Sequence, residues 1–147
     1  MITSETALLD ANVLVYAYDE SSPYHAAALQ LVEKGRGGEI SLCLTPQVLN
    51  EFFAVITDPR RVAHHFTAQE ALQEMVKFYR SKRILTIFPN SLTIEIMLEL
   101  LKRHPVVKQD IFDLQLAATM LANNITRIYT YNAEDFIKFS EIETLTP

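Results

Sequence analysis

The sequence predicts a three-layer α/β/α sandwich around a central, mainly parallel sheet. Three observations carry that expectation. Short apolar runs alternate with longer amphipathic segments from one end of the chain to the other. Strands separated by helices are the signature of a parallel sheet covered on both faces. The balance of 49% hydrophobic and 21% charged residues in 147 is that of one globular domain, here residues 1–147, with enough chain to bury a core.

The elements follow in order. Residues 7–9 form an apolar strand that ends at Asp10. A helix begins near Asn12 and runs to residue 18, and Pro23 interrupts before the next. That second helix spans 24 to about 34, with Ala27, Ala28, Leu31 and Val32 on one side, and Gly35, Gly37 and Gly38 stop it. Residues 40–44 read as a buried strand. Thr45 then caps a helix with Pro46 at its first position, ending near Thr57 before Asp58-Pro59. Thr67 and Glu70 form a capping box for the fourth helix. A third strand covers 84–88, Ser91 caps a helix that ends before Pro105, and 112–123 is a sixth helical stretch. Residues 127–131 make a fourth strand, and 133–139 a short last helix.

Several functions are disfavoured by composition. No apolar run reaches the length of a membrane span. The opening MITSETALLD has neither a basic region nor a long apolar one, so no secretion signal is expected. The single cysteine, Cys43, reads as a core residue, and a cytoplasmic setting is expected. Three glycines leave no room for a Gly-rich phosphate loop, and no serine sits in a nucleophile-elbow pattern. His64 and His65 are adjacent, so they do not face each other as an acid–base pair. His25 and His104 are expected to face solvent.

A net charge of −5 is not that of an ordinary nucleic-acid binder. The basic residues are clustered, however. Arg60 and Arg61 lie beside His64 and His65; Lys77, Arg80, Lys82 and Arg83 form a second group; Lys102, Arg103, His104 and Lys108 a third. Each reads first as a solvated helix face or end, and second as a phosphate contact.

The acids are more informative. Ligands of open parallel sheets bind beyond the carboxyl ends of the strands. Asp10 ends the first strand, Glu51 lies early in the helix after the second, Asp110 and Asp113 open the helix before the fourth, and Asn132 and Asp135 follow that strand. Asp113 falls on an apolar side of its helix, beside Leu116 and Ala117, and Glu51 borders Phe52 and Val55. A buried carboxylate needs a partner, and a shared cation is one. Oxygen donors without a Cys or His cluster suit Mg²⁺ or Mn²⁺. Each acid also has a plainer reading. Asp10 or Asp110 can be an N-cap, Asp113 a capping-box acid, and Asp135 a first-turn acid.

Three blocks of the sequence resemble the PIN-domain ribonucleases of the VapC toxin type: LLDANVLVYAYDESSPYHAAA, LTPQVLNEFFAVIT and IFDLQLAATMLANNITRIYTYNAEDF. The resemblance implies a PIN-like fold and metal ligands at Asp10, Glu51 and Asp113, with Asn12 helping to hold the site. It also places a threonine–asparagine–acid cluster on Thr130, Asn132 and Asp135. Asp135 is taken as the fourth ligand because it carries a charge, with Asn132 orienting it; Asp110 is a further candidate acid. The implied activity is Mg²⁺- or Mn²⁺-dependent endonuclease cleavage of RNA leaving a 5′-phosphate. The implied partners are a second copy of the chain and a small VapB-like antitoxin. The residues themselves add Tyr16, Tyr18 and Phe53, in helices flanking the site, which read either as partner contacts or as core, Phe53 first as core. Two other readings stand beside this one. A metal-dependent phosphatase of another α/β family usually has a second aspartate where this chain has Asn12. A catalytically inactive PIN-like module, binding only RNA or protein, does not require three intact acids.

Overall fold

A computed structural model describes residues 1–147. Five strands form one sheet: β1 (Ala7–Leu9), β2 (Leu42–Leu44), β3 (Ile84–Thr86), β4 (Arg127–Tyr129) and β5 (Glu143–Leu145). Their order is β3-β2-β1-β4-β5, and every pairing is parallel. β1 and β2 are buried at every position, which is why their sequences are continuously apolar.

Six α-helices cover the sheet: α1 (Ala11–Tyr18), α2 (His25–Gly37), α3 (Pro46–Ile56), α4 (Ala68–Tyr79), α5 (Ser91–Arg103) and α6 (Asp110–Ala122). α1 packs on α2 and α3, α3 on α4, and α5 on α6. With right-handed crossovers, the connections β1–β2 and β2–β3 place α1–α4 on one face, and the return to β4 places α5 and α6 on the other. The chain leaves β1 in one direction and β4 in the other. The carboxyl ends of these two neighbours therefore form a topological switch point, where a crevice opens.

The expected layers are present, with local differences. A fifth strand joins the four expected from the sequence: β5 is an edge strand with an exposed Glu143 and only half-buried neighbours, so it lacks an apolar run. Helix α2 continues through Gly35 and Gly37 and stops at Gly38, whose φ of 80° supplies the left-handed cap. Gly35 lies against the sheet, where a Cβ would collide with the Leu42 side chain. Asn90, not Ser91, caps α5, its Oδ1 accepting the Leu92 N–H at 2.9 Å. The last helix shrinks to a 3₁₀ turn over Ala133–Asp135. Cys43 is fully buried, as expected. His25 and His104 are not simply solvent-facing. His25 Nδ1 lies 2.9 Å from the Tyr16 carbonyl, and the His104 ring packs edge-on against Phe139. No helix is long and apolar enough to cross a membrane.

Candidate active site

Asp10 is the first residue beyond β1 and the N-cap of α1. Its Oδ1 accepts the Ala11 N–H at 2.8 Å, and its Oδ2 accepts the Thr130 hydroxyl at 2.8 Å. The capping reading is therefore correct, but it leaves this carboxylate only 8% exposed and without a cationic partner. Burial, first, and then the charges of Glu51 and Asp135 push its pKa up to about 6, although both hydrogen bonds oppose the shift.

Asn12, on the first turn of α1, joins the ends of the two central strands. Its Nδ2 donates to Asp10 Oδ2 and to Thr130 Oγ1, each at 3.3 Å, and its Oδ1 accepts the Tyr131 N–H at 3.1 Å. The Thr130 hydroxyl also accepts the Asn132 N–H at 3.0 Å, fixing the turn after β4. Thr130 is thus a buried brace beneath the site rather than part of its surface.

A cavity of about 340 Å³ opens above this brace. Asp10, Asn12, Glu51, Asp113, Asn132 and Asp135 all line it. Glu51 enters from α3, Asp113 from the first turn of α6, and Asp135 from the 3₁₀ turn. Gln47 on α3 spans the gap between two of these helices, donating to the Phe112 carbonyl on α6 at 3.0 Å. Asp113 makes no hydrogen bond to the backbone, and Gln109 precedes the helix without a side-chain cap. The capping-box reading of Asp110 and Asp113 is thereby removed. Burial and then the charges of Asp135, Asp10 and Glu51 raise the Asp113 pKa to about 6. The Asp135 carboxyl is also raised, by burial and then by Glu134. Asp110 is exposed and stands outside the cavity, touching the site only through its charge on Asp135.

Two charged cavity residues lie outside the set expected from the sequence. Asp19, the C-cap of α1, lies about two helical turns beyond Asn12 and so on the same side. Arg61 reads in the sequence only as one member of a basic cluster. It lines the cavity and enters none of the ion pairs of the chain. Several bases of this and the other clusters are instead paired at the surface: Arg60 with Asp58, Lys77 with Glu74, Lys102 with Glu99 and Arg103 with Glu141. Tyr16, Tyr18 and Phe53 are half-buried and pack against the core.

The donor set is all oxygen and mutually repulsive, which suits a hard divalent cation. No three of these acids converge closely enough, as arranged, to grip a single point. The fit lies in donor chemistry and the shared cavity, not in a closed coordination shell.

Fold and site together define an open parallel α/β protein with an acidic crevice at its switch point. The PIN domain family matches residues 7–142, and the chain belongs to that family. It is 26% identical over 132 residues to Ribonuclease VapC24 of Mycobacterium tuberculosis (strain ATCC 25618 / H37Rv), covering 89% of each chain. Among solved structures, it is similar to VapC20 of Mycobacterium tuberculosis, described as a sarcin–ricin-loop-cleaving toxin. The TM-score is 0.69 at 15% identity, over 96% of this chain and 99% of that one. VapBC2 of Rickettsia felis, bound to a DNA fragment from its promoter, gives 0.62 at 18% identity, over 97% and 98%. At these identities the structural likenesses establish the fold.

Proposed function

We propose that this protein is a divalent-metal-dependent endoribonuclease, acting as the toxin of a toxin–antitoxin pair. The observation that carries the proposal is the convergence of Asp10, Glu51, Asp113 and Asp135 on one cavity at the switch point. A relative named as a VapC ribonuclease supports the substrate class. Structural neighbours described as a toxin–antitoxin complex, and as VapBC bound to promoter DNA, support an antitoxin partner. Self-association belongs to the same reading.

Asp10, Glu51, Asp113 and Asp135 would hold Mg²⁺ or Mn²⁺, and Asn132 would orient the last of them. The ion, when bound, acidifies water and offsets the charge on the phosphate. The chain's own residues supply the rest. Thr130 and the Ala11 N–H fix both oxygens of Asp10, so this carboxylate meets its ligand without reorganising. Asn12 sets the spacing between the two strand ends. Arg61 offers a guanidinium to a phosphate oxygen at the rim of an otherwise acidic cavity. That local cation, with the metal, lets an acidic protein receive an anionic strand.

The test is RNA cleavage by purified protein, alongside growth of cells expressing it. Asp10→Ala, Glu51→Ala and Asp113→Ala are each expected to lower Mg²⁺-dependent cleavage at least about a hundredfold and to relieve growth inhibition. Unchanged cleavage by Asp10→Ala after contaminating nucleases are removed would refute the assignment.

A further inference from the structure

We propose that a second cavity, next to the carboxylate site, is a nucleobase subsite that seats a base beside the phosphate to be cut. This rests on the ribonuclease reading above and adds to it where the substrate is read. The second cavity, about 250 Å³, is bounded by the end of α1, the end of α3 and the segment between α3 and α4. Val15 and Asp19 line both cavities, so the two share a wall. A strand whose phosphate lies over the carboxylates can reach the second cavity with the adjoining base.

The walls suit a flat aromatic ligand. Val15, Ile56 and Val62 form apolar sides, and half-buried Phe66 contributes a ring. Unstacked bases of single-stranded RNA are commonly seated on such rings. Tyr18 is pinned and keeps the cavity from collapsing. Its hydroxyl donates to Glu74 Oε2 at 2.7 Å and accepts from Arg36 Nη2 at 2.9 Å, and its ring meets Phe66 edge-on at 5.8 Å.

The remaining lining residues are polar: Asp19, Glu20 and His64. Asp19 Oδ1 is engaged by the Ser21 N–H and hydroxyl, whereas its Oδ2 has no partner within the chain. Glu20 is exposed, and its carboxylate has none either. Carboxylates only accept hydrogen bonds when ionised. They therefore favour a base that presents an amino group, as adenine, cytosine and guanine do, over uracil, whose single N–H is flanked by two carbonyl oxygens. An apolar side chain of a protein partner would fill the walls but leave these polar groups unanswered.

Binding of fluorescent oligo-A, oligo-C and oligo-U strands of equal length, measured by anisotropy with Ca²⁺ in place of Mg²⁺ and with the probe checked intact on a gel, tests the subsite while the carboxylate charge is offset. The wild-type protein is expected to bind oligo-A or oligo-C about tenfold more tightly than oligo-U. Phe66→Leu should weaken the preferred strand by about as much. Glu20→Gln, at an exposed position, should reduce the preference to about threefold or less with an unchanged thermal midpoint. Equal binding of all three strands, or a preference that survives both substitutions, overturns the subsite while leaving the ribonuclease reading intact. A wild-type protein that neither binds nor cleaves RNA overturns both. Substitutions that spare RNA binding but weaken capture of a protein inhibitor assign the cavity to that inhibitor and overturn the subsite.

Discussion

Asp10 caps a helix and loses most of its water in doing so. With its pKa raised to about 6, the folded protein holds the proton more tightly than the unfolded chain. This residue therefore costs nothing below the ordinary carboxylate range. The cost grows as pH rises toward 6 and is fully present above it. A rise of that size corresponds to roughly 3 kcal/mol at most, less what relaxation recovers. Asp10→Asn keeps the Oδ1 acceptor for Ala11 but gives up, at every pH, the Oδ2 acceptor for Thr130 and Asn12. In the metal-free protein its stability relative to the wild type is expected to rise by about 1–2 kcal/mol between pH 4 and pH 7.5. Urea unfolding of both proteins in EDTA measures this, and a difference of equal size at the two pH values would show that ionisation is not the cause. At this scale, Asp10, Glu51 and Asp113 were legible because strand ends and helix starts advertise them. Asp19 and Arg61 were not. Asp19 sits at the far end of α1, and Arg61 lies in an irregular segment whose path only tertiary packing decides.

The elements meet at Asn12, which ties α1 to the turn after β4. Removing its side chain leaves the Tyr131 N–H without its acceptor and frees Asp10 Oδ2 from one donor. Asn12→Ala is expected to cost about 1–2 kcal/mol. It should also speed hydrogen exchange at the Tyr131 amide more than at strand amides elsewhere. Uniform acceleration would mean that the link between strand ends is no stronger than its surroundings. Most elements could be read directly: Thr45 and Pro46 open α3, and Thr67 with Glu70 opens α4. What escaped was set by neighbours. β5 owes its conformation to pairing with β4, and α2 tolerates Gly35 because the close approach of Leu42 demands it.

Across the whole molecule, an excess of acid is not spread evenly. Five carboxylates, including Asp19, gather around one crevice, while several surface bases are paired with acids of their own. The parallel order β3-β2-β1-β4-β5 makes that gathering possible, because it brings the ends of β1 and β4 side by side. The alternation of strands and helices foretold the sheet. It did not foretell the adjoining apolar cavity, whose walls come from three separate parts of the chain. The most direct measurement of a shared cation site is calorimetric titration of the purified protein with Mn²⁺. Saturable binding is expected, weakened at least about tenfold in Asp10→Asn, Asp113→Asn and Asp135→Asn. Asn132→Ala should lose less, and an exposed control such as Asp110→Asn should bind as the wild type does. Mn²⁺ affinity that is absent in the wild type, or unchanged by all three cavity substitutions, would contradict a shared cation site.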